Sequence, residues 1–111
     1  MEDKVITTAA STRPTMEGLR ALRREILDVA ARHGASDVRV FGSVARGDAD
    51  ERSDVDVLLD VDAEARGLAY FGMLEDLRRD FESVLHRDVD VVDAASLNSM
   101  RERVLSEALP L

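Results

Sequence analysis

The stretch that decides the fold runs from residue 38 to residue 61 and reads VRVFGSVARGDADERSDVDVLLDV. Its first four residues, Val38 to Phe41, predict a short strand that ends at Gly42-Ser43. Val55 to Val61 is the clearest strand of the chain, because apolar residues fill the odd positions and mostly aspartates fill the even ones. Residues 44–53 are polar and turn-like, with a short helix expected at the start.

Amphipathic helices flank these strands. One is predicted from Thr15 to about His33, capped by Thr12 or Thr15, and another from Leu68 to about His86, because apolar residues recur every three or four positions. The first apolar stripe consists of Leu19, Leu22, Ile26 and Val29. The second, predicted to lie in the core, consists of Phe71, Leu74, Leu77, Phe81 and Val84.

The remainder of the chain completes an α/β (two-layer α+β) order. Val89 to Val92 predicts a third strand, and a last short helix is expected to end at Pro110. Its apolar side consists of Leu97, Met100, Val104 and Ala108. The expected fold is a small mixed sheet of three or more strands flanked by helices. Residues 1–13 are interpreted as a flexible leader, and residues 14–111 as one domain.

Composition excludes several classes of protein. The 111 residues include 15 basic and 23 acidic ones, a net charge of −8, which argues against direct binding of nucleic acid through its phosphates. The chain has no Cys, so disulfides, zinc–thiolate sites and thiol nucleophiles are excluded. Neither a membrane-spanning apolar run nor a secretory signal is recognised. We therefore expect a soluble, cytoplasmic domain that does not contact membranes.

Gly42-Ser43 is a candidate phosphate-binding turn. A Gly-Ser pair between a strand and a helix offers backbone N–H groups and a hydroxyl to the terminal phosphates of a nucleotide. Arg46, four residues after Gly42, is a candidate for contacting phosphate or transition-state charge. The alternatives are a plain turn for the pair, and an ion pair with Asp48 or Asp54 for the arginine.

Three aspartates form the candidate metal site. Asp54 and Asp56 are two residues apart on a predicted strand, so both carboxylates project from one face and repel each other unless a cation lies between them. Asp90 joins them if the third strand pairs beside Val55–Val61. Three carboxylates would suit two Mg²⁺ ions. The alternative is a solvated acidic sheet face.

The other polar residues have blander interpretations. Ser53 is a candidate nucleotide contact whose alternative is a cap of the turn before the strand. His33 and His86 are expected at helix ends. The sequence leaves open whether Tyr70 lies at the surface or faces adenine. The aspartates interpreted as solvated charges are Asp48, Asp50, Asp60, Asp62, Asp88 and Asp93.

The combined motif resembles the signature of the DNA polymerase β-like nucleotidyltransferases. The residues that carry the resemblance are Gly42-Ser43, Ala45-Arg46-Gly47, Ser53-Asp54-Val55-Asp56 and the downstream Val89-Asp90. More narrowly, the chain from about Leu19 to the C-terminus is similar to the minimal nucleotidyltransferases, the antitoxin half of MNT–HEPN toxin–antitoxin pairs. Val57 departs mildly from the leucine that often follows the second aspartate.

This resemblance implies a fold, a chemistry and a partner. In the family pattern, Gly42 and Ser43 hold the β- and γ-phosphates of ATP, and Asp54 and Asp56 bind both Mg²⁺ ions. Asp90 binds the catalytic ion and helps to deprotonate the acceptor. Family members of this size transfer AMP, and a tyrosine on the HEPN toxin is a known kind of acceptor.

Three other kinds of site contain similarly spaced aspartates. A haloacid-dehalogenase phosphatase would need Gly-Thr after its second aspartate, where Val57-Leu58 stands, and sugar-nucleotide transferases need a larger domain. A Ca²⁺ loop starting at Asp48 fails because Ser53 occupies its glycine position. Two alternatives stay open: an antitoxin that neutralises the toxin by complex formation alone, and transfer to another acceptor.

Overall fold

A four-stranded mixed sheet forms the centre of the computed structural model, which describes residues 13–111 apart from the side chains of residues 65 and 66. The strands are β1 (Ala35–Phe41), β2 (Val55–Val61), β3 (Val89–Asp93) and β4 (Leu109–Pro110), in the spatial order β3-β2-β1-β4. Strand β1 is antiparallel to β2 and β4, whereas β2 and β3 are parallel. The predicted mixed α+β fold is confirmed. Almost all of the predicted leader lies outside the described residues.

In residues 13–111, five helices flank the sheet. They are α1 (Met16–Ala21), α2 (Arg23–Arg32), α3 (Gly42–Arg46), α4 (Tyr70–Leu85) and α5 (Arg101–Glu107), with 3₁₀ turns at Ala63–Arg66 and Ala94–Ser96. Thr15 caps α1, since its hydroxyl accepts a hydrogen bond of 3.0 Å from the Gly18 N–H. The alternative cap, Thr12, lies outside the described residues. The single helix predicted up to His33 is divided at Leu22. The N–H of Leu22 donates to the carbonyl of Leu19, three residues back, and not to the carbonyl of Gly18, four residues back, as it would in a continuous α-helix.

Helices α2 and α4 cover one face of the sheet and form the core with it. The buried side chains at this layer include Ile26, Val29, Leu77 and Phe81, together with the odd-numbered residues of β2. Leu58 is also fully buried, on the opposite face, where the 3₁₀ turn Ala94–Ser96 lies against β2. The predicted stripe of β2 is therefore confirmed, but its other face is not wholly polar.

Phe71 was wrongly predicted to be a core residue, because 80% of it is exposed. At about 100° per residue, Phe71 lies about 120° around the helix from Leu77, whereas Tyr70 lies about 20° from it. The predicted stripe contains two successive steps of three residues, from Phe71 to Leu74 and from Leu74 to Leu77. Together these steps fall about 120° short of two full helical turns, so Phe71 lies off the buried face. Tyr70 packs against the core in its place.

The C-terminal segment also differs from the prediction. Helix α5 ends at Glu107, before Pro110, and Leu109–Pro110 adds the short edge strand β4 to β1. Met100 precedes the helix and is 55% exposed. A strand of two residues is too short to show an alternation of apolar and polar residues in the sequence. For this reason only three strands were recognised. Among the described residues, no helix is long and apolar enough to span a membrane.

Candidate active site

The parallel pairing of β2 and β3 brings the candidate aspartates together. Asp56 and Asp90 are direct register partners, so their side chains leave the same face of the sheet. Asp54 stands two residues before Asp56, at the entry to β2, and belongs to the same face. The strand arrangement on which the role of Asp90 depended is therefore present, while the roles of the three carboxylates stay predictions.

The surroundings of Asp56 disfavour its ionised form. Burial raises the pKa of Asp56 to about 6, and the negative charges of Asp90 and Asp54 and a hydrogen bond to Asp90 act in the same direction. The positive charge of Arg46 opposes these effects on the pKa only weakly. An ionised carboxylate at this position is therefore costly unless a cation compensates it.

The donor set fits a divalent cation. The three carboxylates supply hard oxygen ligands, and a cation beside them would compensate the mutual repulsion that raises the pKa of Asp56. In residues 13–111, no group of three or more acidic, histidine or cysteine side chains has converged into a finished metal site. The chemistry of the three carboxylates therefore suits a cation, although their side chains do not converge on one point in the described residues.

Gly42 lies directly against the Asp56 carboxylate. A Cβ built on Gly42 would stand 2.1 Å from Asp56 Oδ2, and the glycine has a φ of +75°. Both observations exclude a side chain at this position. Ser43 follows as the second residue of α3, and among the described residues its hydroxyl has no hydrogen-bond partner. Backbone and hydroxyl of the pair are therefore placed beside the acidic cluster.

Arg46 reaches two carboxylates. Its Nε lies 3.4 Å from Asp48 Oδ2, and its Nη1 lies 3.4 Å from Glu107 Oε1. The alternative of an ion pair with Asp48 is therefore present, while the phosphate role stays a prediction. Glu107 also accepts a hydrogen bond of 3.3 Å from the Gly42 N–H. The sequence analysis missed Glu107, since a lone acidic residue on an amphipathic helix looks like an ordinary solvated charge.

Ser53 is engaged inside its own turn. Its hydroxyl accepts from the Asp50 N–H at 2.9 Å and donates to Asp50 Oδ1 at 3.2 Å. The same Asp50 oxygen accepts from the Arg52 N–H at 2.9 Å. These contacts favour the turn-capping interpretation of Ser53, and its nucleotide contact stays a prediction.

Arg87 ties this turn to β3. Its Nη1 donates to the carbonyl of Glu51 at 2.9 Å and to that of Ser53 at 3.2 Å. The next residue, Asp88, accepts the Val55 N–H through its carbonyl at 3.0 Å. Because the Ser53 carbonyl belongs to the peptide bond that begins Asp54, Arg87 fixes the backbone that carries this carboxylate.

If Asp54 binds a metal ion as predicted, replacing Arg87 by alanine is expected to lower the rate of nucleotidyl transfer about 10- to 100-fold, as loss of a supporting contact behind a metal ligand does. The measurement is the transfer rate at saturating ATP and metal. Arg23→Ala, which removes the same charge from an exposed position on α2, serves as the control. Equal rates for the two variants would contradict a positioning role for Arg87.

The far end of β3, at Asp93, makes structural contacts and lies away from the acidic cluster. Asp93 was expected to be solvated, but it is only 2% exposed, so that expectation is wrong. Its Oδ1 accepts the Ala95 N–H at 3.0 Å and its Oδ2 accepts the Tyr70 hydroxyl at 2.6 Å. Three residues of strand, about 10 Å, separate Asp93 from Asp90. Tyr70 therefore belongs to the structural contacts at this end of the sheet.

Both histidines lie where the sequence placed them. His33 ends α2 and its Nε2 lies 2.7 Å from Asp80 Oδ2, which links α2 to α4. His86 ends α4 in the left-handed conformation, with a φ of 55°. Neither position suggests catalysis, and the acidic cluster remains the candidate active site.

Comparison with known proteins agrees with this fold and site. A family model described as a nucleotidyltransferase domain matches residues 22–111. The chain is 32% identical over 92 residues to the candidate protein adenylyltransferase MJ0435 of Methanocaldococcus jannaschii, covering 82% of this chain and 95% of that protein. It is 38% identical over 92 residues to the protein adenylyltransferase MntA of Thermococcus cleftensis, covering 82% and 86%.

Two solved structures share the fold. One, described as a candidate minimal nucleotidyltransferase, superposes with a TM-score of 0.75 and 43% identity, covering 87% of this chain and 96% of that chain. The other is a toxin–antitoxin crystal structure with AMP-PNP, with a TM-score of 0.59 and 22% identity, covering 78% and 69%. At that identity, the second likeness concerns the fold alone.

The chain belongs to the nucleotidyltransferase domain family. Within this family, it is similar to the minimal nucleotidyltransferases, including relatives that are named protein adenylyltransferases. Transferase activity is the class of function that this membership supports, and nucleotidyltransferases generally use a divalent metal.

Proposed function

We propose that this protein is an antitoxin that transfers AMP from ATP to a tyrosine of a HEPN-type RNase toxin in the cytoplasm, and that it uses two Mg²⁺ ions. The observation that carries the proposal is the register pair Asp56–Asp90, which lies against the backbone of Gly42. This arrangement sets metal-binding carboxylates beside donors suited to phosphate.

Each residue then has a defined task. Gly42 and Ser43 bind the β- and γ-phosphates through backbone and hydroxyl, so that the α-phosphate faces the carboxylates. Asp54 and Asp56 would hold both ions, and Asp90 would hold the catalytic one. When bound, the metal neutralises the triphosphate and lowers the pKa of the acceptor hydroxyl.

The reaction is an in-line displacement. The tyrosine oxygen forms a bond to the α-phosphorus, the bond from that phosphorus to the bridging oxygen of the β-phosphate breaks, and pyrophosphate leaves. Asp90 is exposed, whereas its register partner Asp56 is half-buried, and Asp90 accepts the hydroxyl proton. Arg46, 48% exposed at its side chain, offsets negative charge that builds up on the phosphates.

A protein acceptor suits this chain better than a nucleic acid. With a net charge of −8, one Tyr, three Phe and no Trp, the protein offers little to a phosphate backbone or to stacked bases. Relatives named protein adenylyltransferases support the same acceptor class. AMP added to a tyrosine near an RNase site would impede RNA binding through the negative charge of its phosphate and the bulk of its nucleoside.

Neutralisation by complex formation alone is the second candidate. Leu68, which precedes α4, is fully exposed, and Phe71, in the first turn of α4, is 80% exposed. Apolar groups exposed in this way favour contact with a protein partner. Such contact is compatible with transfer as well, so the two candidates are separated by experiment.

Incubating the proposed HEPN-type toxin with wild type and Mg-ATP is expected to add the mass of AMP to it. Asp54→Asn and Asp90→Asn should each abolish the added mass, because each removes a metal ligand. Asp62→Asn, an exposed residue just beyond β2, is the control and should transfer normally. Intact-mass spectrometry and an RNase assay give the two readouts.

An unmodified toxin that all variants still silence would leave complex formation as the function. An unmodified toxin that stays active, together with modification of another protein, would indicate a different acceptor. Either result would contradict AMP transfer to the toxin.

A further inference from the structure

The carboxylate of Glu107 lies on two donors that the nucleotide is proposed to use. One oxygen, Oε1, accepts the backbone N–H of Gly42 at 3.3 Å and the Nη1 of Arg46 at 3.4 Å. Both donors are assigned above to phosphate. A carboxylate oxygen of the protein itself therefore stands where a phosphate oxygen would receive the same two hydrogen bonds.

The fold holds Glu107 in this place. Glu107 is the last residue of α5, and the chain then enters β4, where Leu109 pairs with Val40 of β1. The carbonyl of Pro110 also accepts a hydrogen bond of 2.9 Å from Arg20 Nη2. Because β1 leads directly into Gly42, this pairing sets the distance between the carboxylate and the glycine.

The contacts of Glu107 are weak enough to be exchanged. Both distances are at the long end of the hydrogen-bond range, and 32% of the side chain is exposed. Ion pairs with this exposure add little to stability. A triphosphate carries several negative charges and therefore competes well for the same donors.

We infer that Glu107 occupies the position of a nucleotide phosphate in the free protein, that ATP displaces it on binding, and that this competition lowers the affinity for ATP. The identity of the ligand rests on the proposed function. The consequence is that the C-terminal segment, residues 101–111, responds to whether the phosphate position is filled.

The test compares Glu107→Gln with Glu102→Gln. Glu102 is exposed in the first turn of the same helix, so its replacement makes the same change in net charge. Calorimetric titration with Mg-ATP should give Glu107→Gln a Kd roughly three- to tenfold lower than wild type, since a weak exposed competitor is removed. Glu102→Gln should stay within about twofold of wild type.

Two results would overturn the inference. Equal affinities of the two variants would show that Glu107 does not compete, and weaker binding by Glu107→Gln would make it a residue that positions Arg46. Hydrogen exchange of residues 101–111 gives a second measurement: Mg-ATP should accelerate it, and unchanged exchange would contradict displacement. Neither measurement involves the toxin. The proposed AMP transfer can therefore fail while Glu107 still competes with ATP, and Glu107 can fail to compete while AMP transfer is still observed.

Discussion

Asp56→Asn is expected to abolish nucleotidyl transfer and, without metal, to raise the melting temperature of the protein. The loss follows because Asp56 lies at the centre of the acidic cluster, between Asp54 and Asp90. Removing a proposed ligand of both ions should cost about 10²–10³-fold in rate, as large as the loss of a main electrostatic contact in other enzymes. Asparagine keeps the shape of the side chain and removes the charge.

The gain in stability has a defined pH dependence. Since the fold raises the pKa of Asp56 to about 6, wild type binds more protons than its unfolded chain between about pH 4 and pH 6, and its stability falls as the pH rises through this range. The variant has no such loss. After allowance for solvent screening of a half-buried group, we expect a gain of about 1 kcal/mol at pH 7.5.

That gain corresponds to a melting temperature about 4–8 °C higher. The measurement is thermal unfolding in EDTA at pH 4 and pH 7.5, where the difference between variant and wild type should be small at the lower pH and full at the higher one. Asp62→Asn, beyond the far end of β2, should show no such difference. A variant less stable than wild type at pH 7.5 would mean that the Asp56 carboxylate is not crowded by its neighbours.

The sequence predicted the parts of this site that local patterns define. The bounds of β2 were predicted as Val55–Val61, because alternation over seven residues is a strong strand signal. Gly42-Ser43 was recognised from its place after a strand. Asp90 can meet Asp56 only if β3 lies beside β2. The sequence is compatible with this strand order but also with others, so the pairing could not be predicted from it.

The contacts missed by the sequence join residues that are far apart in the chain. Glu107 and Gly42 are separated by 65 residues, and Arg87 and Ser53 by 34. A charged residue on a helix or in a turn looks the same in the sequence whether it meets solvent or a backbone group. Asp93 was misinterpreted for this reason, since only the folded structure shows Tyr70 above it.

Gly42→Ala is expected to inactivate the protein, whereas Gly47→Ala should leave transfer largely intact. Both glycines have a positive φ, +75° and +84°, so alanine strains the backbone at either position, by about 1–2 kcal/mol. Only at Gly42 does the added Cβ meet another group, at 2.1 Å from Asp56 Oδ2. At Gly47 the new Cβ has no atom within 4 Å in the described part of the chain.

The pair therefore separates backbone strain from damage to the site. Unfolding measurements should show a further loss of about 1–3 kcal/mol for Gly42→Ala beyond that of Gly47→Ala, as overpacking costs elsewhere. Transfer by Gly42→Ala should fall at least about 10²-fold, because the carboxylate of Asp56 has to turn away from its place beside the phosphate donors. Combining Gly42→Ala with Asp56→Gly removes the clash and should recover most of that further loss of stability, but no activity. If Gly42→Ala transferred AMP as fast as Gly47→Ala, the Asp56 carboxylate would not lie against the glycine in the working enzyme, and the arrangement on which the proposed function rests would be wrong.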